Sequence, residues 1–249
     1  MTENASAPFR WRIEVFSAAA PKRDPVALRG QVREHENLPL DDIDLTEFER
    51  RYVERAHGTP ASFRGFRELW EGVENRRSLT PQAWIAPERD AFLGDSALRL
   101  AVVWTLGPAD PGERARGDVM LEFLLDMGAT LLLFGMWRRI VAHVADLLRP
   151  GLHVSRTFQP SDAGEIRSLF AMQERQGKKG TEGAERMEDA GRGGVCLNPE
   201  GTIVPAKSRC AFITLSGAPE ATPAPLRCSG CGPKGCDFGR MGLCPAELF

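Results

Sequence analysis

The sequence predicts a chain of mixed strands and helices that closes in a Cys-rich metal loop, and three observations predict it. Leu98 to Leu106 is an apolar, β-prone run stopped by Gly107-Pro108. Between Gly112 and Arg149, a loop leads into one long helix, with Met120, Phe123, Leu124, Met127, Leu131, Phe134, Ile140, Val141, Val144 and Leu148 close to a 3.6-residue period. All six cysteines fall between Cys196 and Cys244, and the last four are spaced Cys-x2-Cys-x4-Cys-x7-Cys.

Taken in order, residues 1–94 form an N-terminal region of mixed helix and strand, which could belong to the same domain as residues 95–218. Trp11 to Phe16 alternates apolar and polar side chains and reads as a strand. Leu45, Phe48, Tyr52 and Val53 mark an amphipathic helix within Asp41 to His57, capped by Asp44 or Thr46. The acidic run Asp41-Asp42-Ile43-Asp44 suits a helix N-terminus, since no calcium-loop spacing follows. Ser62 to Trp70 reads as a second short helix and Pro81 to Pro87 as a loop.

Residues 95–218 form the core. Its long helix is interrupted by charge: Asp126 and Arg138 leave an uncharged run of 11 residues, where a membrane span needs about 20. It is therefore read as a core helix, with Pro150-Gly151 ending it. Leu152 to Phe158 is a strand or loop, and Ser161 caps a helix beginning near Asp162. Gln173 to Gly194 is polar and Gly-rich and reads as a mobile loop, because it cannot bury enough surface to offset its ordering entropy. Val195-Cys196-Leu197 and Ser208 to Leu215 read as the two arms of a hairpin-like unit. Residues 219–249 form the tail, which opens with the three prolines of Pro219 to Pro225 as a semi-rigid strap.

The composition is 42% hydrophobic and 27% charged with net charge −2, and both signs are interspersed. Nothing electrostatic calls for nucleic acid or a membrane surface. Met1 to Phe16 has no apolar run resembling a signal peptide, and clustered thiols without an export signal fit a reducing cytoplasm. The oligomeric state is left open. In such a compartment, thiols this close in a glycine-rich loop point to a metal or cluster rather than disulfides. Gly230, Gly232, Gly235, Gly239 and Gly242 let the backbone wrap tightly around it.

Cys228, Cys231, Cys236 and Cys244 are the expected ligands, with Cys196 and Cys210 as competitors for the fourth place or simply small buried hydrophobes. An iron–sulfur cluster and a structural zinc tolerate the same spacing. Gly230 to Gly235 formally matches G-x-G-x-x-G, but a Pro-rich strap precedes it instead of a strand. His35, His57, His143 and His153 are scattered and read as surface or packing residues.

Several segments together resemble a known family. They are Asp118 to Ile140, Leu152-His153-Val154-Ser155, Gly194 to Pro199, Val204 to Ser208 and the cysteine loop with Phe238 and Arg240. This set resembles the activation domain of cobalamin-dependent methionine synthase, and more closely its small stand-alone relatives with a C-terminal Cys-x2-Cys-x4-Cys loop. The resemblance covers roughly residues 95 to 240. It implies an α+β fold with an antiparallel sheet packed against helices. It also implies a role in reductive activation of a corrinoid (cobalamin) protein docked on the sheet. A 4Fe-4S cluster would pass electrons from a donor protein, which leaves open whether the chain is itself an enzyme. The alternative is a non-catalytic, zinc-stabilised module that binds a corrinoid protein or another partner. Arg156-Thr157-Phe158 stands where the family has Pro-Gly-Tyr, and Leu197-Asn198-Pro199-Glu200 where it has Leu-Thr-Glu-Ser. Tight binding of S-adenosylmethionine is therefore not expected.

Overall fold

The computed structural model describes residues 10–16, 33–39, 45–55, 59–74, 79, 81–87, 97–108, 115, 117–148, 150–160, 163–177 and 195–217. Eight strands and four helices occur among them. The strands are β1 (Arg10–Phe16), β2 (Arg33–Pro39), β3 (Gln82–Pro87), β4 (Ala97–Thr105), β5 (His153–Phe158), β6 (Cys196–Leu197), β7 (Ile203–Val204) and β8 (Ser208–Ser216). The helices are α1 (Leu45–Arg55), α2 (Pro60–Glu74), α3 (Val119–Leu147) and α4 (Ala163–Gly177). Six strands make one sheet in the order β2-β1-β3-β4-β8-β5, and β6 pairs with β7 separately. The fold is α+β, and the sheet is antiparallel except where β1 runs parallel to β3.

The β4 run from Leu100 to Trp104 is apolar because both of its faces are covered there. Leu100, Val102 and Trp104 join the core under α1, α2 and α3, while Ala101 and Val103 point the other way with Trp84, Cys210 and Phe212. β8 alternates in the same manner, sending Ala211, Ile213 and Leu215 towards α3. On the second face, Leu169 and Phe170 of α4 close over the sheet together with Val195, Leu197 and Ile203.

The first face is held by aromatic rings. Phe48 of α1 meets Phe63 and Phe66 of α2 edge-on, each at 5.5 Å between centroids. Trp104 of β4 stacks on Trp137 of α3 at 4.8 Å, and its indole N–H donates to the Leu133 carbonyl at 2.9 Å. That bond satisfies a donor that burial would otherwise strand.

Several expectations change. These changes leave the middle of α3 as the sequence has it, a core helix: every residue from Met127 to Leu133 is buried, because α2 covers the face that the sheet does not. Pro81 to Pro87 is not a loop: Gln82–Pro87 is β3, between β1 and β4. Its prolines bracket the strand, where the missing N–H does least harm. Cys196–Leu197 and Ser208–Ser216 do not pair; β6 pairs with β7, and β8 enters the large sheet between β4 and β5. α2 runs longer than Ser62 to Trp70, starting at Pro60, whose fixed φ suits a first helical position. Thr46 lies inside α1 and is not its cap, and Asp44 lies outside the described residues. Gln173 to Gly177 is the last turn of α4, not loop; residues 178–194 and the expected cap Ser161 lie outside the described residues.

α3 is long and apolar enough to cross a membrane by composition. Most of that apolar stretch is buried within the fold, however, and Asp118 caps the helix, accepting from the Met120 and Leu121 amides at 3.1 Å each.

Candidate metal centre

Cys228, Cys231, Cys236 and Cys244, together with the strap before them, lie outside the described residues. The structure does describe the root of that tail, where β8 ends at Ser216, and the two cysteines that compete for the fourth ligand place.

Cys210 is on β8, opposite Val103 in register. Alternation along the strand turns its thiol towards α4, where Trp84, Val103, Phe170 and Phe212 belong to the same apolar cluster. Burial pushes its pKa up from the ordinary 9.0 to about 12, slightly opposed by the Arg209 guanidinium. The thiolate is the form that binds metal, so this site holds the sulfur in its inert form. Cys196 is exposed on the two-residue strand β6. The expectation that it could be a small buried hydrophobe is therefore corrected for Cys196, and Cys210 fits it.

β6 and β7 are joined by a tight turn. The Asn198 side-chain carbonyl accepts from the Thr202 amide at 2.8 Å, and Gly201 takes φ +82°, which a larger residue adopts only with strain. The Arg167 guanidinium of α4 lies over Gly201. The turn that the family resemblance would place beside a ligand is thus fixed by its own hydrogen bonds and by α4. His153–Phe158, where the resemblance would place a ligand-cradling loop, is strand β5 paired with β8.

Of the histidines, His143 is buried on α3 and His153 is exposed on β5; His35 is on β2, and His57 lies outside the described residues. Among the described residues, no group of three or more His, Cys, Asp or Glu side chains could hold a metal ion.

Sequence reasoning missed a polar clasp at the start of β8. The Lys207 ammonium, only 12% exposed, pairs with the Asp126 carboxylate of α3. The Lys207 carbonyl accepts from the Leu106 amide and the Thr105 hydroxyl, and the Ser208 hydroxyl donates to Thr105 Oγ1 at 2.8 Å. A buried ammonium is tolerable only with such a partner. The one signal for it in the sequence was Asp126, an acidic residue at the start of the uncharged stretch of α3.

The donor chemistry of the tail stands apart from all this. Four thiols within one glycine-rich stretch are the set that iron–sulfur clusters and zinc take. The described residues offer no rival set. No protein-family model, curated protein or solved structure matches the chain.

Proposed function

We propose that the chain is an iron–sulfur protein whose Cys228, Cys231, Cys236 and Cys244 hold a 4Fe-4S cluster. The spacing Cys-x2-Cys-x4-Cys-x7-Cys carries this reading. Such a cluster supplies one-electron transfer when bound. The chain's own contribution is to present four thiolates on glycine-flexed backbone and to limit solvent around them, which tunes the potential. Cys244 is the preferred fourth ligand. Cys210 is sealed in apolar surroundings, and Gly239 and Gly242 give the chain between Cys236 and Cys244 the freedom to fold back. Reductive activation of a corrinoid protein is the role we assign, on the sequence resemblance of residues 95 to 240. α1–α3 and α4 cover the middle of the sheet on either face, so a docked partner would use its polar end, where β8 leads into the tail.

The test is anaerobic reconstitution of the wild-type chain and of single Cys→Ser variants, assayed for iron, sulfide and visible absorption. A brown protein bleached by dithionite is expected. Cys228→Ser, Cys231→Ser and Cys236→Ser should abolish the cluster, Cys244→Ser should weaken it, and Cys196→Ser and Cys210→Ser should behave as wild type. A colourless protein with one zinc overturns the electron-transfer reading in favour of a structural module. A silent Cys244 with a sensitive Cys196 would move the fourth ligand to β6.

A further inference from the structure

The polar end of the sheet has a chemistry of its own, independent of the cysteine tail. Arg99 of β4 and Arg156 of β5 are both in register with Thr214 of the strand between them, which sets the three in one cross-strand row. Ser216 and His153 face each other one row further out. The row behind is apolar, with Phe158 and Phe212 stacked at 5.2 Å.

Both guanidinium groups lean back over these rings. The Arg99 guanidinium carbon is 4.6 Å from the centre of Phe212 and 5.6 Å from that of Phe158, and the Arg156 carbon is 5.7 Å from Phe158. Two cations whose backbones stand about 10 Å apart, two strand spacings, are therefore drawn over the same ring. The ring faces attract each cation and hold its long side chain in place.

The placement of Arg156 depends on a break in the strand. Val154 packs towards α3, and strict alternation would send Arg156 the same way. A bulge between Val154 and Arg156, where the Ser155 hydroxyl donates to the Thr214 carbonyl at 3.2 Å, turns Arg156 to the opposite face beside Arg99. Bulges re-aim side chains in this way next to binding sites. β4 and β5 bring Arg99, Arg156 and His153 to this face, and none of β4, β5 and β8 contains an Asp or Glu.

We propose that Arg99, Thr214 and Arg156 form a binding site for a phosphate group on a small ligand. Two planar forks and a hydroxyl supply more donors than one carboxylate accepts, whereas a phosphate offers enough oxygens to engage both arginines.

The experiment is calorimetric titration of the full chain with inorganic phosphate and with phenyl phosphate at fixed ionic strength, with acetate as the control anion. Saturable binding of at least one phosphate is expected, and the tighter of the two tells whether the site takes the free anion or a monoester. Arg156→Gln, at an exposed position, should weaken it tenfold or more with an unchanged melting temperature. Arg156→Lys should fall between, and Arg209→Gln, which alternation places on the other face, should match wild type. Arg99→Gln removes a contact to two rings and could lower stability, so Arg156 decides. Acetate binding as tightly as phosphate, an Arg156→Gln variant that binds like wild type, or the absence of saturation would each overturn the site.

Discussion

Gly128 of α3 lies against the indole of Trp70: a β-carbon added there would sit 2.7 Å from the ring. The helix can approach α2 this closely only because that carbon is missing. Gly128→Ala should therefore destabilise the protein by about 1–3 kcal/mol through overpacking, read as a lower urea midpoint. Gly135, two turns further along the same side of α3, has nothing within 4 Å of the same position. Gly135→Ala should be neutral or stabilising by up to about 1 kcal/mol from helix propensity. Cys210 makes a second residue-scale prediction. Its folded pKa is raised, so between 9.0 and about 12 the native state keeps a proton that the unfolded chain has lost. Stability from this group is fully present below 9.0 and falls as pH rises towards 12, by at most about 1.4 kcal/mol per pH unit. Urea titrations across that range should show the slope in wild type and its reduction in Cys210→Ala. Iodoacetamide at neutral pH should modify Cys196 in the native protein and Cys210 only after unfolding.

At the scale of elements, α3 depends on how it starts. Asp118 satisfies two of its orphan amides, and Glu122 reaches back to accept from the Gly117 amide at 3.0 Å. Asp118→Ala should cost about 1 kcal/mol, and Asp118→Asn much less, since Asn caps equally well; thermal melts by circular dichroism separate the two. Elements with a strong internal signal were legible in the sequence. β4 and β8 are apolar and β-branched, and α3 is long and apolar. What failed were features decided by neighbours. β2, Arg-Glu-His-Glu-Asn-Leu-Pro, has no apolar alternation to read and exists by pairing with β1. β3 was hidden by its bracketing prolines, and the pairing of β6 with β7 instead of β8 is a choice between partners that no local pattern encodes. The row of Arg99, Thr214 and Arg156 was equally invisible, because a bulge decides which way Arg156 points. The cysteine spacing, by contrast, was read from sequence alone, being a property of sequence.

Over the whole molecule, the segment before residue 95 completes both layers of the core. It supplies β1, β2 and β3 to the sheet and α1 and α2 to the helical layer. A chain beginning at residue 95 would expose the edge of β4 and one full side of α3, both apolar. We expect it to be insoluble, or to show no cooperative unfolding transition in urea. Soluble, cooperatively folding protein from that truncation would show that the second half carries its own core. The complementary swap, a chain ending after Gly217, removes the four tail cysteines and leaves every described element intact. It should fold with a near-wild-type melting temperature while binding no iron.

The position of β8 bears on how the protein is made. Ala97 pairs with Ser216 and Thr105 with Ser208, so the central ladder joins parts of the chain more than a hundred residues apart. On a ribosome, β4 emerges early and waits with one edge unpaired until β8 has left the exit tunnel. Contacts of such long sequence range slow folding, and an open apolar edge is the surface on which nascent chains associate with one another. The strand that ends this exposure is also the one that leads directly into the cysteine tail. Synthesis thus delivers the thiols directly after the strand that lets the sheet close.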